Sequence, residues 1–309
     1  MEYLHNDKER FQEAVDLVVY QTGISAEAVE KDYYVTMILK NLAEKLSFVV
    51  FKGGTSLSKC HHVIKRFSED IDVTIDMSLS QGQKKKVKEA IVEIVETMGL
   101  KITNLEETRS RRDYNRYVIA YESVLPETGI VVQPAVLIET SYTAVSFPTV
   151  VLPVSNYIGK MMETEAPEFV QIYGLAPFEM KVQGLDRTLA DKVFAVCDYY
   201  LQDKVKKHSR HIYDIYKLLP LVPQDEEYHK LVQEVRKVRK DSPVCPSATD
   251  DVDISELLLR IIKEEAYRAD YLNLTESLLE EKIPYETAIK SLEDIAVGKM
   301  FEKIMVPSV

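Results

Sequence analysis

Apolar residues recur through the first fifty positions with the period of a helix. Phe11, Val15 and Val18-Val19 form one stripe, and Gly23 ends it. Ser25 is suited to cap a second helix, whose stripe runs Val29, Tyr33, Met37, Ile38, Leu42 and Leu46. The period then changes. Ser47 to Phe51 is a short continuous run of β-branched and aromatic residues, which predicts a buried strand stopping at Lys52-Gly53-Gly54. A helix is expected over Thr55 to Ile64. A second strand follows, in which Ile71, Val73 and Ile75 alternate with Asp72, Thr74 and Asp76. Residues 81–98 read as an amphipathic helix. Tyr117 to Val124 and Gly129 to Ser141 read as strands, with Pro126 and Gly129 in the turn between them.

Between Pro148 and Gly174 the pattern mixes Pro, Gly and polar residues, and a lobe boundary is expected there. Beyond Leu185 the spacing is helical again. Leu189, Val193, Val196 and Tyr200 share one face, and Ile212, Ile215, Tyr216 and Leu219 another. Pro243 to Asp253 reads as a loop, with two or three helices after it. At 309 residues the chain exceeds the usual size of one domain. The expected class is α+β, with an α/β lobe over 1–160 and a mostly helical lobe over 161–309.

Composition narrows the choice of function. With 46% hydrophobic residues the chain can bury a full core. No apolar run approaches the roughly 20 residues that span a bilayer. The start, Met1-Glu2-Tyr3-Leu4-His5, shows no basic region leading into an apolar one, so no secretory signal is expected. Cys60, Cys197 and Cys245 are odd in number and widely spaced, which fits a reducing cytoplasm and no zinc site. A net charge of -11 argues against a general nucleic-acid coat. Basic stretches at Arg109 to Arg112, Lys204 to Arg210 and Arg236 to Lys240 could still dock a phosphate backbone locally, or be solvated faces.

The chemistry concentrates in Lys52-Gly53-Gly54-Thr55-Ser56-Leu57-Ser58-Lys59 and in Arg66-Phe67-Ser68-Glu69-Asp70-Ile71-Asp72-Val73. The first segment is a strand ending in two glycines that open a helix. Glycines admit close backbone approach, and free N–H groups at a helix start attract phosphate. Thr55 and Ser56 add hydroxyl donors. The second segment places Asp70 and Asp72 two apart on a strand, on one side and about 7 Å apart. Two such carboxylates can hold a hard divalent cation. Phosphoryl transfer needs little more than positioning and charge neutralisation. Taken singly, the glycines could form an ordinary turn and Asp-x-Asp a solvated face. Their order and separation make the combination specific.

These two segments resemble the nucleotidyltransferase-like toxins of the AbiEii type, within the DNA polymerase β-like superfamily. There a helix-opening Gly-Gly/Ser precedes an Asp-x-Asp/Glu strand. The gap here is longer than usual counted from Gly54 and fits better from Ser56, so which of Gly53 to Ser56 touches phosphate stays open. Glu30-Lys31-Asp32-Tyr33-Tyr34 is similar to the family's segment ahead of this core. Arg187 to Lys192 and Arg210 to Tyr216 resemble its third and fourth motifs.

The resemblance implies a polymerase-β-like fold and a Mg²⁺- or Mn²⁺-dependent nucleotidyltransferase. It implies metal binding by Asp70, Asp72 and a third carboxylate at Glu139, although Glu139 also reads as an ordinary edge-strand residue. Gly53, Gly54, Thr55, Ser56 and Ser68 would face the nucleotide. Lys192 would meet the triphosphate and Asp214 would be essential, although Asp214 also has Arg210 four residues earlier as a partner. His208 and His211 read as surface residues. The implied substrates are a nucleoside triphosphate and an RNA acceptor, the 3′ end of tRNA first. Lys59, Lys65 and Arg66 are candidate RNA contacts near the site. The implied setting is a toxin–antitoxin or phage-defence system with a cognate antitoxin and no membrane. The alternatives are the same fold acting on a small molecule or protein hydroxyl, and a nucleotide-binding module without turnover.

Overall fold

A computed structural model describes residues 2–66, 68–126 and 134–302. These residues form two compact units. The first takes the chain up to His61 and from Ser68 to Val182; the second takes the short excursion beginning at His62 and everything from Gln183 onward.

The first unit opens with α1 (Lys8–Thr22) and α2 (Ala26–Lys45). Asp7 caps α1 by accepting from the Arg10 N–H, and Gly23 ends it at φ 72°. Ser25 caps α2 by accepting from the Ala28 N–H. Strand β1 (Val49–Lys52) runs directly into α3 (Gly53–Lys59). Helix α3 is shorter than the pattern suggests, because the chain leaves for the second unit at His62, which takes φ 54°. Then come β2 (Ile71–Ile75), α4 (Gln81–Thr97), β3 (Lys101–Ile102), β4 (Tyr114–Ala120) and β5 (Ala135–Val145). Ser80 and Gln83 form a reciprocal cap at the start of α4. Strand β4 begins three residues before the expected Tyr117. Gly129 and the residues through Gln133, predicted as turn and strand start, lie outside the described residues.

The Pro- and Gly-containing stretch holds β6 (Thr149–Val154), α5 (Tyr157–Glu165) and α6 (Pro167–Ile172), followed by β7 (Phe178–Gln183). These elements carry the first unit past residue 160, because β7 pairs in parallel with β1 at Phe51 and Val182. The sheet has seven strands in the order β3-β4-β5-β2-β1-β7-β6. It is mixed, with β2 antiparallel to β1 and parallel to β5. One core cluster joins Phe11 and Val15 of α1, Val29, Tyr33 and Ile38 of α2 and Ile91 and Ile94 of α4 to Phe51, Ile71, Val73, Tyr117 and Ile138 of the sheet. The alternation in β2 thus holds for its apolar set. Thr74 departs from it: it is buried, and its hydroxyl donates to the Ser141 carbonyl at 2.9 Å.

The second unit is helical. It contains α7 (Leu185–Leu201), α8 (Arg210–Leu218), α9 (Glu226–Arg239), α10 (Ile254–Lys263) and shorter helices ending with Lys290–Gly298. Leu189, Val193, Phe194, Ile212, Ile215, Val232, Leu258 and Phe301 are fully buried. Together the two units make the α+β architecture expected. Among the described residues no helix is long and apolar enough to cross a membrane.

Candidate active site

Lys52, the last residue of β1, lies across from Asp72 in the antiparallel ladder. The next residue, Gly53, takes φ 80°. A Cβ at this position would lie 2.9 Å from Cγ and 3.0 Å from Cβ of Asp72. The Asp72 side chain is therefore seated directly against the glycine. Two independent constraints, the left-handed backbone and the lack of room, call for glycine here. Gly53→Ala should push Asp72 out of place. If Asp72 has the metal-binding role that the resemblance implies, misplacing it by an ångström costs about a hundredfold in rate, so nucleotide transfer should fall by that order while the protein still melts cooperatively. Full transfer by a folded Gly53→Ala protein would remove Asp72 from the chemistry.

Asp72 also has a neighbour on its other side. Its partner in the parallel ladder with β5 is Glu139. Paired residues of neighbouring strands project to the same face about 5 Å apart. Strand β5 is interior to the sheet, between β4 and β2, so Glu139 is not an edge-strand carboxylate. In the next strand Glu139 pairs with Arg116. A row Lys52, Asp72, Glu139, Arg116 thus crosses four strands on one face, two carboxylates flanked by two cations. The Arg116 Nε lies 3.8 Å from the Glu139 Oε1. Tyr114, half exposed, hydrogen-bonds Glu139; burial and then that carboxylate push its hydroxyl pKa upward. Asp70 is half-buried one residue ahead of β2.

Among the described residues no group of three His, Cys, Asp or Glu side chains forms a ready-made metal cage. Mg²⁺ is usually held by one or two carboxylates together with substrate phosphates and water. The in-register Asp72 and Glu139, with Asp70 on the segment entering β2, would supply hard oxygen ligands of that type.

The hydroxyls of the glycine turn are already engaged. Ser56 is fully buried and donates to the Gly53 carbonyl at 2.9 Å. Thr55 is buried and shares a 2.9 Å hydrogen bond with Ser68. Gly53 and Gly54 remain half exposed. The expected nucleotide-facing residues of the first unit therefore divide into two glycines with accessible backbone and three hydroxyls that tie the turn together.

Lys192 and Asp214 belong to the second unit, as does Arg66. The Asp214 side chain has no solvent exposure. It accepts from Arg66 Nε at 2.7 Å and Arg66 Nη2 at 2.8 Å, and it pairs with Lys192 Nζ at 2.6 Å. The partners of Asp214 are thus Arg66 and Lys192, where the sequence offered Arg210. Burial alone would raise the Asp214 pKa. Arg66 and Lys192 outweigh it and hold the carboxyl far below its ordinary value. Burial lowers the Lys192 pKa, opposed by Asp214. His211 Nδ1 lies 3.4 Å from Lys192 Nζ. Desolvation, then the Lys192 charge, keep this imidazole neutral well below 6.5. His208 stacks on Tyr199 with ring centroids 3.5 Å apart. Both histidines are therefore half-buried and packed against neighbours, where the sequence read them as surface residues.

Two of the cations expected at RNA have other roles. Arg66 is buried on Asp214, and the Lys59 side chain, 7% exposed, is paired with Asp32 at 2.5 Å. Lys65 is exposed. Sequence reasoning missed the Arg66–Asp214 pair because 148 residues separate the partners. It also missed Tyr114, although the alternation of Tyr114, Arg116 and Val118 along β4 was available as a signal.

No curated protein matches the chain. The family described as nucleotidyl transferase AbiEii toxin, type IV TA system, matches residues 37–296, which span β1 to β7 and most of the helical unit. The chain therefore belongs to the AbiEii family of nucleotidyltransferase toxins, whose type IV toxin–antitoxin systems pair the toxin with a cognate antitoxin.

Proposed function

We propose that this protein transfers a nucleotide from a nucleoside triphosphate to a hydroxyl of RNA, at the 3′ end of tRNA, with Mg²⁺ or Mn²⁺. The observation that carries the reading is the in-register pair Asp72 and Glu139, with Asp72 packed against Gly53. When bound, the cation supplies charge neutralisation on the reacting phosphate and the leaving pyrophosphate. Asp70, Asp72 and Glu139 would hold it together with the substrate phosphates, not as a cage of their own. The backbone of Gly53 and Gly54 takes the phosphates, because the hydroxyls of Thr55, Ser56 and Ser68 are engaged within the turn. Lys192 neutralises the triphosphate. Its Nζ is held in place by Asp214, which also pairs with Arg66. Glu139 or Asp70 accepts the proton of the attacking hydroxyl. The three free cysteines fit action in the reducing cytoplasm, within a phage-defence setting.

An RNA acceptor is favoured by what borders the carboxylates. Tyr114 presents a half-exposed ring and Arg116 an exposed guanidinium beside Glu139, a combination that stacks bases and binds phosphate. Arg111 and Arg112 on the preceding loop, and Lys206 and Lys207 in the second unit, are exposed. Incubation with total RNA, Mg²⁺ and each labelled nucleoside triphosphate in turn should label small RNA at its 3′ end. Charge reversal at Arg111 and Arg112, or at Lys206 and Lys207, should weaken labelling. It should also flatten the salt dependence by about one unit of slope for each phosphate released, leaving nucleotide binding unchanged. Label found on protein or a small molecule, with RNA unlabelled by all four nucleotides, would overturn the choice of acceptor.

A further inference from the structure

Helix α2 buries two consecutive charged side chains, Glu30 and Lys31, and half-buries the next, Asp32. Buried charges rarely add stability over apolar residues of similar size, so their partners indicate what they are for. Glu30 accepts from the Ser123 hydroxyl and the Val124 N–H, each at 2.8 Å. Asp32 pairs with Lys59 at the end of α3 and accepts from the Tyr157 N–H at 3.0 Å. Lys31, with its side chain 5% exposed, pairs with Glu69 at 2.6 Å. Glu69 immediately precedes Asp70. One helix thus grips both the helix that follows the glycine turn and the segment that enters β2.

We propose that Lys31 is a positioning residue for the metal-binding aspartates. By holding the Glu69 carboxylate it fixes the backbone on which Asp70 sits, and so the aim of Asp70 and Asp72 together. Lys31 itself touches neither substrate nor metal. Residues 68–70, before β2, have no regular secondary structure of their own to fix them. The Lys31–Glu69 pair and the Thr55–Ser68 hydroxyl bond are side-chain ties that hold them within the first unit. This proposal rests on the reading of Asp70 and Asp72 as metal ligands.

The test is a Mn²⁺ titration of the full-length protein without nucleotide, read by electron paramagnetic resonance below the melting temperature. Wild type should bind Mn²⁺ and Asp72→Asn should not. Removing a group that supports a metal ligand from behind commonly costs 10- to 100-fold in affinity. Glu69→Gln and Lys31→Met should each weaken binding by about tenfold, and Lys31→Arg should restore most of it. The direction for Lys31→Met is decisive. If Glu69 were itself a ligand held back by Lys31, freeing it would tighten Mn²⁺ binding, and tighter or unchanged binding overturns the proposal. Should Lys31→Met fail to fold, loss with Glu69→Gln and retention with Lys31→Arg decide in its favour, and equal binding by Glu69→Gln decides against it. Wild type binding no more Mn²⁺ than Asp72→Asn would instead sink the metal reading of the site, a result distinguishable from failure of the positioning role.

Discussion

Asp72→Asn should abolish nucleotide transfer and, with it, growth inhibition on expression, while the protein folds as before. The substitution keeps the shape of the side chain and its fit against Gly53. It removes one formal charge from a face where Asp72 and Glu139 are the paired carboxylates. Stabilisation of charge developing in a transition state is worth several kcal/mol per group, on the order of a thousandfold in rate. Asp72 is half-buried on a strand held by ladders on both sides, so the strand keeps its place when the side chain loses its charge. The melting temperature should therefore stay near that of wild type while the rate collapses. A folded Asp72→Asn protein that labels RNA at the wild-type rate would show that the metal assignment is wrong.

Asp214→Ala should have the opposite signature, a large loss of stability. The Asp214 carboxylate has no exposure, and its partners Arg66 and Lys192 are 1% and 8% exposed. Removing it takes a carboxylate away from two buried cations that it pairs with. Breaking a buried pair from one side costs about 3–5 kcal/mol, a large part of the ~5–15 kcal/mol that holds a typical protein folded. Urea melts should show that loss. The acid dependence has a definite sign. The folded-state pKa of Asp214 lies far below its ordinary 3.8, so its contribution is fully present above that value and is lost only as pH falls further, through the folded pKa. Asp214→Ala and wild type should therefore differ by the same amount at pH 6 and pH 8. Melts that coincide with wild type would show that the network adds nothing to stability. A folded Asp214→Asn protein without activity would in turn point to Asp214 acting through Lys192 and Arg66, because the carboxylate itself is sealed from solvent.

The contrast between these two aspartates shows what the sequence could reveal. Asp72 was legible because everything that defines it is local: a β-branched alternation, a two-residue spacing and a glycine turn fewer than twenty residues upstream. Helices α1 and α2 were legible through their stripes and their caps at Gly23 and Ser25. Asp214 could be singled out only by likeness to the family. Its partner Arg66 looked like a surface cation because nothing local marks it as buried. Strands β6 and β7 were missed for a related reason. Val150 and Val151 of the outermost strand are exposed, so no core-facing alternation marks it. Strand β7 is identified by its pairing with β1, more than a hundred residues away in sequence. Helix α3 was overextended because its end is set by where the chain goes next, which amphipathic spacing does not encode.

The excursion beginning at His62 has a consequence for how such a protein can be cut and recombined. Residues 62–66 lie between the glycine turn and the aspartate strand in sequence, yet they belong with the helices encoded more than a hundred codons later. Neither unit is therefore a contiguous stretch of gene. A fragment ending at Val182 would carry Asp72 and Glu139 but would strand Arg66 without Asp214, and one beginning at Gln183 would leave Asp214 without Arg66. Exchange of halves between homologous genes should be productive only when the short 62–66 insert travels with its own C-terminal helices. Chimeras crossed at residue 182 without that insert should express as insoluble protein, and transplanting the insert as well should recover them.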